Sequence, residues 1–526
     1  MRRELLAGLI AFCVVSSAAL AQSEPPVKPA GLGTVAEKGG EAEAAKSEAS
    51  VTEHTIRIGD QTVAYTATAG TLVLRDEKGA PTARMGYTAY TRKGVGDASR
   101  RPITFAFNGG PGSSSIWLHM GALGPRRVVT ADAASTPPPP YRVVDNAYSV
   151  LDVTDLVMID PVGTGLSHAL GKKEDKDFWG VDPDLASVAQ FIFQYVDDND
   201  RWNSPKYLLG ESYGTTRAAG LVNLLQSEKG MAFNGVVLVS VAVDLGAIFD
   251  QLGNDRAFVL YLPTFTAVAW YHHVLPERPD ALEPLLQEAR RFAAGPYAEA
   301  LMRGDTLTDA ERDAIAQQIH RFTGLAVDYI KKANLRVREG EFTQELLREH
   351  REIVGRLDAR FLGVTPDPLA QDATYDPQEA AISPAFTAAF MDYLHRELKF
   401  GRDRAYRVEA QVFQSWSFTH RVPGLRERWP QPVVNTGVDL AQALIRDPNL
   451  RVLALNGYFD LATPFFGTEY MLSHLGLPRD LAGHVEMRYY EAGHMMYLHE
   501  PDLAKMKADV ASFIGATAHE GGEGRR

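Results

Sequence analysis

Three residues of the types used in acyl transfer stand in a telling order: Ser212, Asp460 and His494. Each follows a short apolar run that reads as a strand: Tyr207-Leu208-Leu209, Leu450 to Leu455, and Glu486 to Tyr490. A serine held in this way attacks a carbonyl. A histidine takes its proton and passes it to the leaving group, and an aspartate fixes the imidazole tautomer. Ser212 also lies in Gly210-Glu211-Ser212-Tyr213-Gly214, the G-x-S-x-G spacing of a sharp strand-to-helix turn with the serine at its apex. The run Arg217 to Gln226 then has helical spacing, so the serine oxygen is expected at a helix amino end, where developing negative charge is favoured. His499 rivals His494, and Asp439 more weakly rivals Asp460. The position of His494 directly after Ala492-Gly493 makes it the better choice.

A second feature completes that chemistry. The strand-like run Ile103 to Phe107 opens into Asn108-Gly109-Gly110-Pro111-Gly112. Glycines behind a strand let amide hydrogens reach a substrate oxygen with no side chain in the way. The expected oxyanion donors are the amides of Gly110 and Tyr213.

The elements needed to position these groups are legible around them. Strands alternate with helices through Leu156 to Asp160, Asp184 to Tyr195 and Val236 to Ser240. This predicts a mainly parallel sheet covered on both faces. The loop Pro161 to Ser167 after the second strand reads as structural support. Upstream, Thr55 to Ile58 and Thr62 to Thr66 flank Gly59-Asp60 as a hairpin. Runs at Thr71 to Leu74 and Met85 to Tyr90 follow, so 51–91 is expected as an antiparallel edge. From Leu245 to Tyr406 strand signals are sparse and helical stretches dominate, including Pro284 to Ala294, Asp309 to Thr323 and Thr343 to Leu357. We expect an α/β-hydrolase core at 51–244 and 407–516, with a helical cap insertion at 245–406. Disordered segments are expected at 22–50 and 517–526.

The chain has 526 residues and a formal net charge of -12, which argues against nucleic acid or an anionic membrane as the main partner. Residues 1–21 read as a signal peptide, with Arg2 and Arg3, an apolar run from Leu5 to Val15, and Ala19-Leu20-Ala21 before Gln22. The expectation is an exported protein, periplasmic or secreted, without stable membrane insertion once the signal is removed. The one cysteine, Cys13, lies inside that segment, so the mature chain would have neither disulfides nor thiol chemistry.

Five motifs together resemble the serine carboxypeptidase family, the S10 peptidases, and especially its bacterial secreted branch. FNGGPGSSS at 107–115, IDPVGTGLS at 159–167, GESYGT at 210–215, NGYFDLATP from Asn456 and EAGHMMYLHEP from Glu491 occur in family order. The insertion carries no motif that matches. Ser113 stands where many members have cysteine. The resemblance implies that Asn108 and Glu211 bind the terminal carboxylate of a peptide with a free C-terminus. A glutamate facing a carboxylate must be protonated, which implies release of the last residue best at acid pH. The expected reaction proceeds through an acyl-enzyme and needs no metal or cofactor. An esterase or acyltransferase on the same frame is the alternative, and a binding protein without catalysis is a third reading. The preferred terminal residue and the oligomeric state are not legible.

Overall fold

The buried strands are the runs of β-branched and aliphatic residues, as a sheet covered on both faces requires. In the computed structural model the described residues are 46–251, 253–426 and 429–519. The segment expected as a signal peptide and most of the expected leader lie outside them. The main-sheet strands are β1 (Glu48–Ile58), β2 (Gln61–Arg75), β3 (Pro81–Arg92), β4 (Ile103–Phe107), β5 (Asp155–Ile159), β6 (Lys206–Ser212), β7 (Gly235–Val241), β8 (Arg451–Gly457) and β9 (Val485–Tyr490). Their spatial order is β1-β2-β3-β5-β4-β6-β7-β8-β9. From β5 to β9 all neighbours are parallel, whereas β1, β2 and β3 add an antiparallel edge.

Alternate residues of the central strands feed two cores. Phe105, Val157, Leu208, Val236 and Val452 face one side. That side is covered by helices α1 (Val181–Asp198), α2 (Tyr213–Lys229) and α7 (Gly437–Arg446). Ala106, Met158, Leu209, Val237 and Leu453 face the other side, against α6 (Pro377–Arg396) and α8 (Glu500–His519). A third core joins α3 (Asp255–Tyr271), α4 (Leu282–Phe292) and α5 (Asp309–Thr323) to Phe459 and Leu461 in the loop after β8 and to Phe465 at the start of the helix that follows it. Helix α5 begins at the spacing its sequence announces, because Thr308 and Glu311 form a reciprocal capping box.

Four expectations need correction. The runs 62–66 and 71–74 are one continuous strand, β2, passing through Gly70. Gly70 has no room for a side chain there, since a Cβ would lie 2.8 Å from the Glu48 carbonyl oxygen. The leader expected to be disordered up to Ser50 already belongs to β1 from Glu48. Thr343 to Leu357 is not one helix. A helix covers Glu339–Glu345 and a tight turn Arg348–His350, and then Arg351 reverses the chain at φ 59°. Glu352–Val354 follows as a strand paired with Leu362–Val364, in keeping with β-branched Ile353 and Val354. The tail expected to be disordered from Thr517 is helical through His519, and Thr517 accepts or donates a 2.7 Å hydrogen bond with the Tyr207 hydroxyl.

Candidate active site

Ser212 ends β6 and precedes the first residue of α2, with φ 59° and ψ −130°. A non-glycine residue held there is strained, as a nucleophile elbow requires. The flanking glycines are steric necessities. A Cβ on Gly210 would lie 2.0 Å from the Gly214 carbonyl oxygen, and one on Gly214 would lie 2.8 Å from that of Phe107. A Cβ on Gly109 would lie 2.4 Å from the Tyr213 nitrogen, so the glycine loop and the elbow are packed backbone to backbone. Tyr213 opens the helix, so its amide has no partner four residues earlier. Gly110 is exposed and lines the same cavity as Ser212.

A buried ion pair braces this corner. Arg217 on α2 donates from Nε to Asp184 at 2.8 Å and from a terminal nitrogen to the Asn108 carbonyl at 2.7 Å. Its guanidinium also lies over the rings of Phe107 and Tyr213, 5.2 and 5.3 Å from their centroids. The loop after β5 supports the other flank. Asp160 accepts from the Ser115 amide and the Tyr406 hydroxyl, both at 2.9 Å. Ser113, at the position where cysteine is frequent in the resembled family, accepts from the Trp117 indole at 2.9 Å. Backbone bonds from Ser114 to Val408 and from Ala410 to Gly112 tie this loop to the returning chain.

The expected histidine and aspartate meet. His494 Nδ1 lies 2.8 Å from Asp460 Oδ2. Asp460 is fully buried and accepts three further bonds, from the amides of Ala462 and Thr463 and from the Thr463 hydroxyl at 2.6 Å. Burial works against a charged imidazole, but the charge and hydrogen bond of Asp460, joined by Glu211, hold His494 above its ordinary pKa. Gly493 is required because a Cβ would lie 2.4 Å from that of Asp358. The His494 amide donates to the Leu357 carbonyl at 2.6 Å, and Ser240 donates to the His494 carbonyl at 2.7 Å. The rivals are engaged elsewhere: His499 with Asp502 at 2.8 Å, and Asp439 with His420 at 2.9 Å.

Asn108 and Glu211 also meet. Asn108 Nδ2 donates to Glu211 Oε1 at 2.9 Å, and Asn108 Oδ1 accepts from the Leu118 amide at 3.0 Å. Glu211 Oε2 and the Tyr497 hydroxyl are buried and make no well-formed hydrogen bond, although the hydroxyl is close enough to act on the carboxyl group. Burial, opposed by the charge of His494 and by hydrogen bonding, pushes the Glu211 pKa up to about 7. Asn108, Gly110, Glu211, Ser212 and His494 all line one cavity of about 330 Å³. Sequence reasoning missed Thr463, Ser240, Arg217 with Asp184, and the Leu357-Asp358 strap. Only Thr463 left a signal, since it falls inside the motif that supplied Asp460.

Residues 68–278 match the family described as serine carboxypeptidase. The match spans less than half of the chain and marks it as similar to serine carboxypeptidase hydrolases. The chain is similar to Kex1(delta)p, a prohormone-processing carboxypeptidase from Saccharomyces cerevisiae, with a TM-score of 0.51 at 14% identity. That match covers 86% of this chain and 92% of the yeast chain, and it shows the α/β-hydrolase fold. A haloalkane dehalogenase loop variant from Bradyrhizobium elkanii (13% identity, 90% and 100% covered, TM-score 0.32) and a lipase in its open form (12% identity, 86% and 99% covered, TM-score 0.34) are more distant. No curated protein matches the chain in sequence. Among its described residues, no helix is long and apolar enough to cross a membrane.

Proposed function

We propose that this enzyme removes the C-terminal residue of peptides through an acyl-enzyme on Ser212. His494 takes the serine proton as Ser212 attacks the last peptide carbonyl, and Asp460 steadies the imidazolium that forms. The amides of Gly110 and Tyr213 receive the oxyanion. His494 then protonates the departing amino acid, and water releases the remaining acyl group by the reverse sequence. We infer further that the enzyme is exported, belongs to the bacterial secreted branch of its family, and uses the helical segment 245–406 as a cap over the site.

The observation that carries the exopeptidase reading is the Asn108–Glu211 pair beside the serine, with a buried carboxyl oxygen lacking a well-formed hydrogen bond. A protonated Glu211 donates to the terminal carboxylate, whereas an ionised one repels it. With a pKa raised to about 7, Glu211 is protonated through the acid range and loses its proton as pH rises through neutrality. Binding of free-acid substrates is therefore expected to weaken on the alkaline side of about 7. A methyl ester of the same substrate carries no terminal charge and escapes that limb. The test compares kcat/KM for a blocked dipeptide and its methyl ester from pH 4 to 9, with wild type and Glu211→Gln. The reading expects the alkaline fall for the acid alone, with Glu211→Gln abolishing it. Hydrolysis of the ester with no turnover of the acid at any pH would favour the esterase alternative.

A further inference from the structure

The two halves of the site stand on different elements. The Asn108–Gly110 loop leaves β4, whereas Ser212 and Tyr213 stand where β6 meets α2. The last paired residues of β4 and β6 are Phe107 and Gly210, so Asn108 already lies beyond the ladder that keeps the two strands in register. The chain after it is soft. Gly110 and Gly112 take φ 99° and 102°, and glycines have many other conformations within reach. Amides aimed at an oxyanion need a fixed direction, and a glycine loop does not supply one by itself.

The side chain of Arg217 on α2 is fully buried and reaches both halves. One terminal nitrogen donates to the Asn108 carbonyl oxygen at 2.7 Å. Nε and the other terminal nitrogen donate to the two carboxylate oxygens of Asp184, at 2.8 and 3.3 Å. Its face lies over the rings of Phe107, the residue before Asn108, and Tyr213, the residue after Ser212. A planar fork meets all of these partners in one orientation only. Asp184 stands in the first turn of α1, which packs on the sheet through Leu185, Val188 and Ile192. Arg217 is thus referenced to the body of the molecule rather than to the loop it holds.

The peptide unit that carries the Asn108 carbonyl is planar and also carries the Gly109 amide. Fixing its oxygen therefore fixes the plane from which the chain runs on to Gly110. Space there is narrow, since a Cβ on Gly214 would lie 3.2 Å from the same oxygen. We propose that Arg217, held by Asp184, is a positioning residue: it sets the Asn108–Gly110 loop against the elbow, so that the two oxyanion amides and the Asn108 side chain face one substrate together. A buried ion pair kept for stability alone has no need of this carbonyl, and apolar residues of similar volume commonly replace such a pair at comparable stability.

This rests on the carboxypeptidase reading, and the experiment separates the two. It measures kcat and KM on a blocked dipeptide and on its methyl ester, with urea unfolding of every variant. Wild type is compared with Arg217→Lys, Arg217→Met, and the double variant Arg217→Met with Asp184→Leu. Arg217→Met leaves Asp184 buried without its cation and is expected to be the least stable, whereas the double variant removes both charges and recovers stability. In both, kcat is expected to fall about a hundredfold on acid and ester alike, because the oxyanion amides serve both substrates. KM is expected to rise for the acid alone, since only the acid uses the Asn108 side chain. Arg217→Lys keeps a charge beside Asp184 but gives up the planar fork. It is expected to fold and still to lose about tenfold in kcat. Wild-type kinetics in the recovered double variant, or in Arg217→Lys, overturn the proposal and leave the pair a matter of stability. Wild type that turns over the ester and never the acid overturns the carboxypeptidase reading instead, while the ester kcat still tests Arg217.

Discussion

Two buried histidines in this molecule each touch aspartate, and they do different work. His494 uses Nδ1 on Asp460 at 2.8 Å and lines the cavity together with Ser212. His420 spends both nitrogens, on Asp182 at 2.6 Å and Asp439 at 2.9 Å, and lines none of it. Asp439 is tied in turn to Asn223 on α2 at 2.9 Å. His420 therefore staples the returning chain to α1, α2 and α7, whereas His494 spends Nδ1 alone among the described residues, as the proposed transfer of the Ser212 proton needs. A buried His–Asp contact does not by itself mark a catalytic site. The role proposed for His494 rests instead on its uncommitted nitrogen and on the strained serine that shares its cavity.

The contrast is sharpest under substitution. Ser212→Ala and His494→Ala are expected to lower kcat by about 10⁴-fold to 10⁶-fold with little change in melting temperature, measured by turnover and calorimetry. Asp460→Asn should cost about 10⁴-fold, because an amide that leaves the geometry intact fixes the wrong tautomer. His420→Ala should reverse the pattern. It leaves the buried Asp439 without its cationic partner, with the Asn223 amide alone to answer it, and is expected to cost about 3 kcal/mol of stability in urea unfolding, with kcat held in the folded fraction. A large kcat loss there at unchanged stability would break the distinction drawn here.

The staple also has a pH signature. Burial disfavours the imidazolium of His420, but its two aspartates more than offset this and raise its pKa to about 9. A raised folded pKa stabilises the fold fully below the unfolded value of about 6.5, and that contribution is lost as pH rises through about 9. Wild type should therefore lose melting temperature between those values more steeply than His420→Gln. The smallest expected effect is at Thr463, whose hydroxyl orients Asp460. Thr463→Val should cost a few-fold in kcat, in line with one hydrogen bond of about 1 kcal/mol.

The half of this comparison proposed as catalytic was marked by local sequence signals, and the stapling half was not. Ser212, Asp460 and His494 each follow a strand that local patterning identifies, and their neighbouring glycines report close backbone approach. His420 pairs with residues far from it along the chain, and no local spacing announces that. The same holds for Arg217 with Asp184 and for Leu357 with His494, which the fold alone brings together. The helix misread over 343–357 failed for a related reason. Its apolar spacing fits a helix, but the chain must turn at Arg351 and form a hairpin that delivers the strap to His494.

The most direct test of the central claim follows a peptide of known sequence by mass spectrometry, with wild type beside Ser212→Ala, on the free acid and on its C-terminal amide. Successive loss of single residues from the C-terminus of the free acid, absent with Ser212→Ala and weak or absent on the amide, is the predicted result. Equal cleavage of acid and amide, internal cuts, or activity that survives in Ser212→Ala would contradict it.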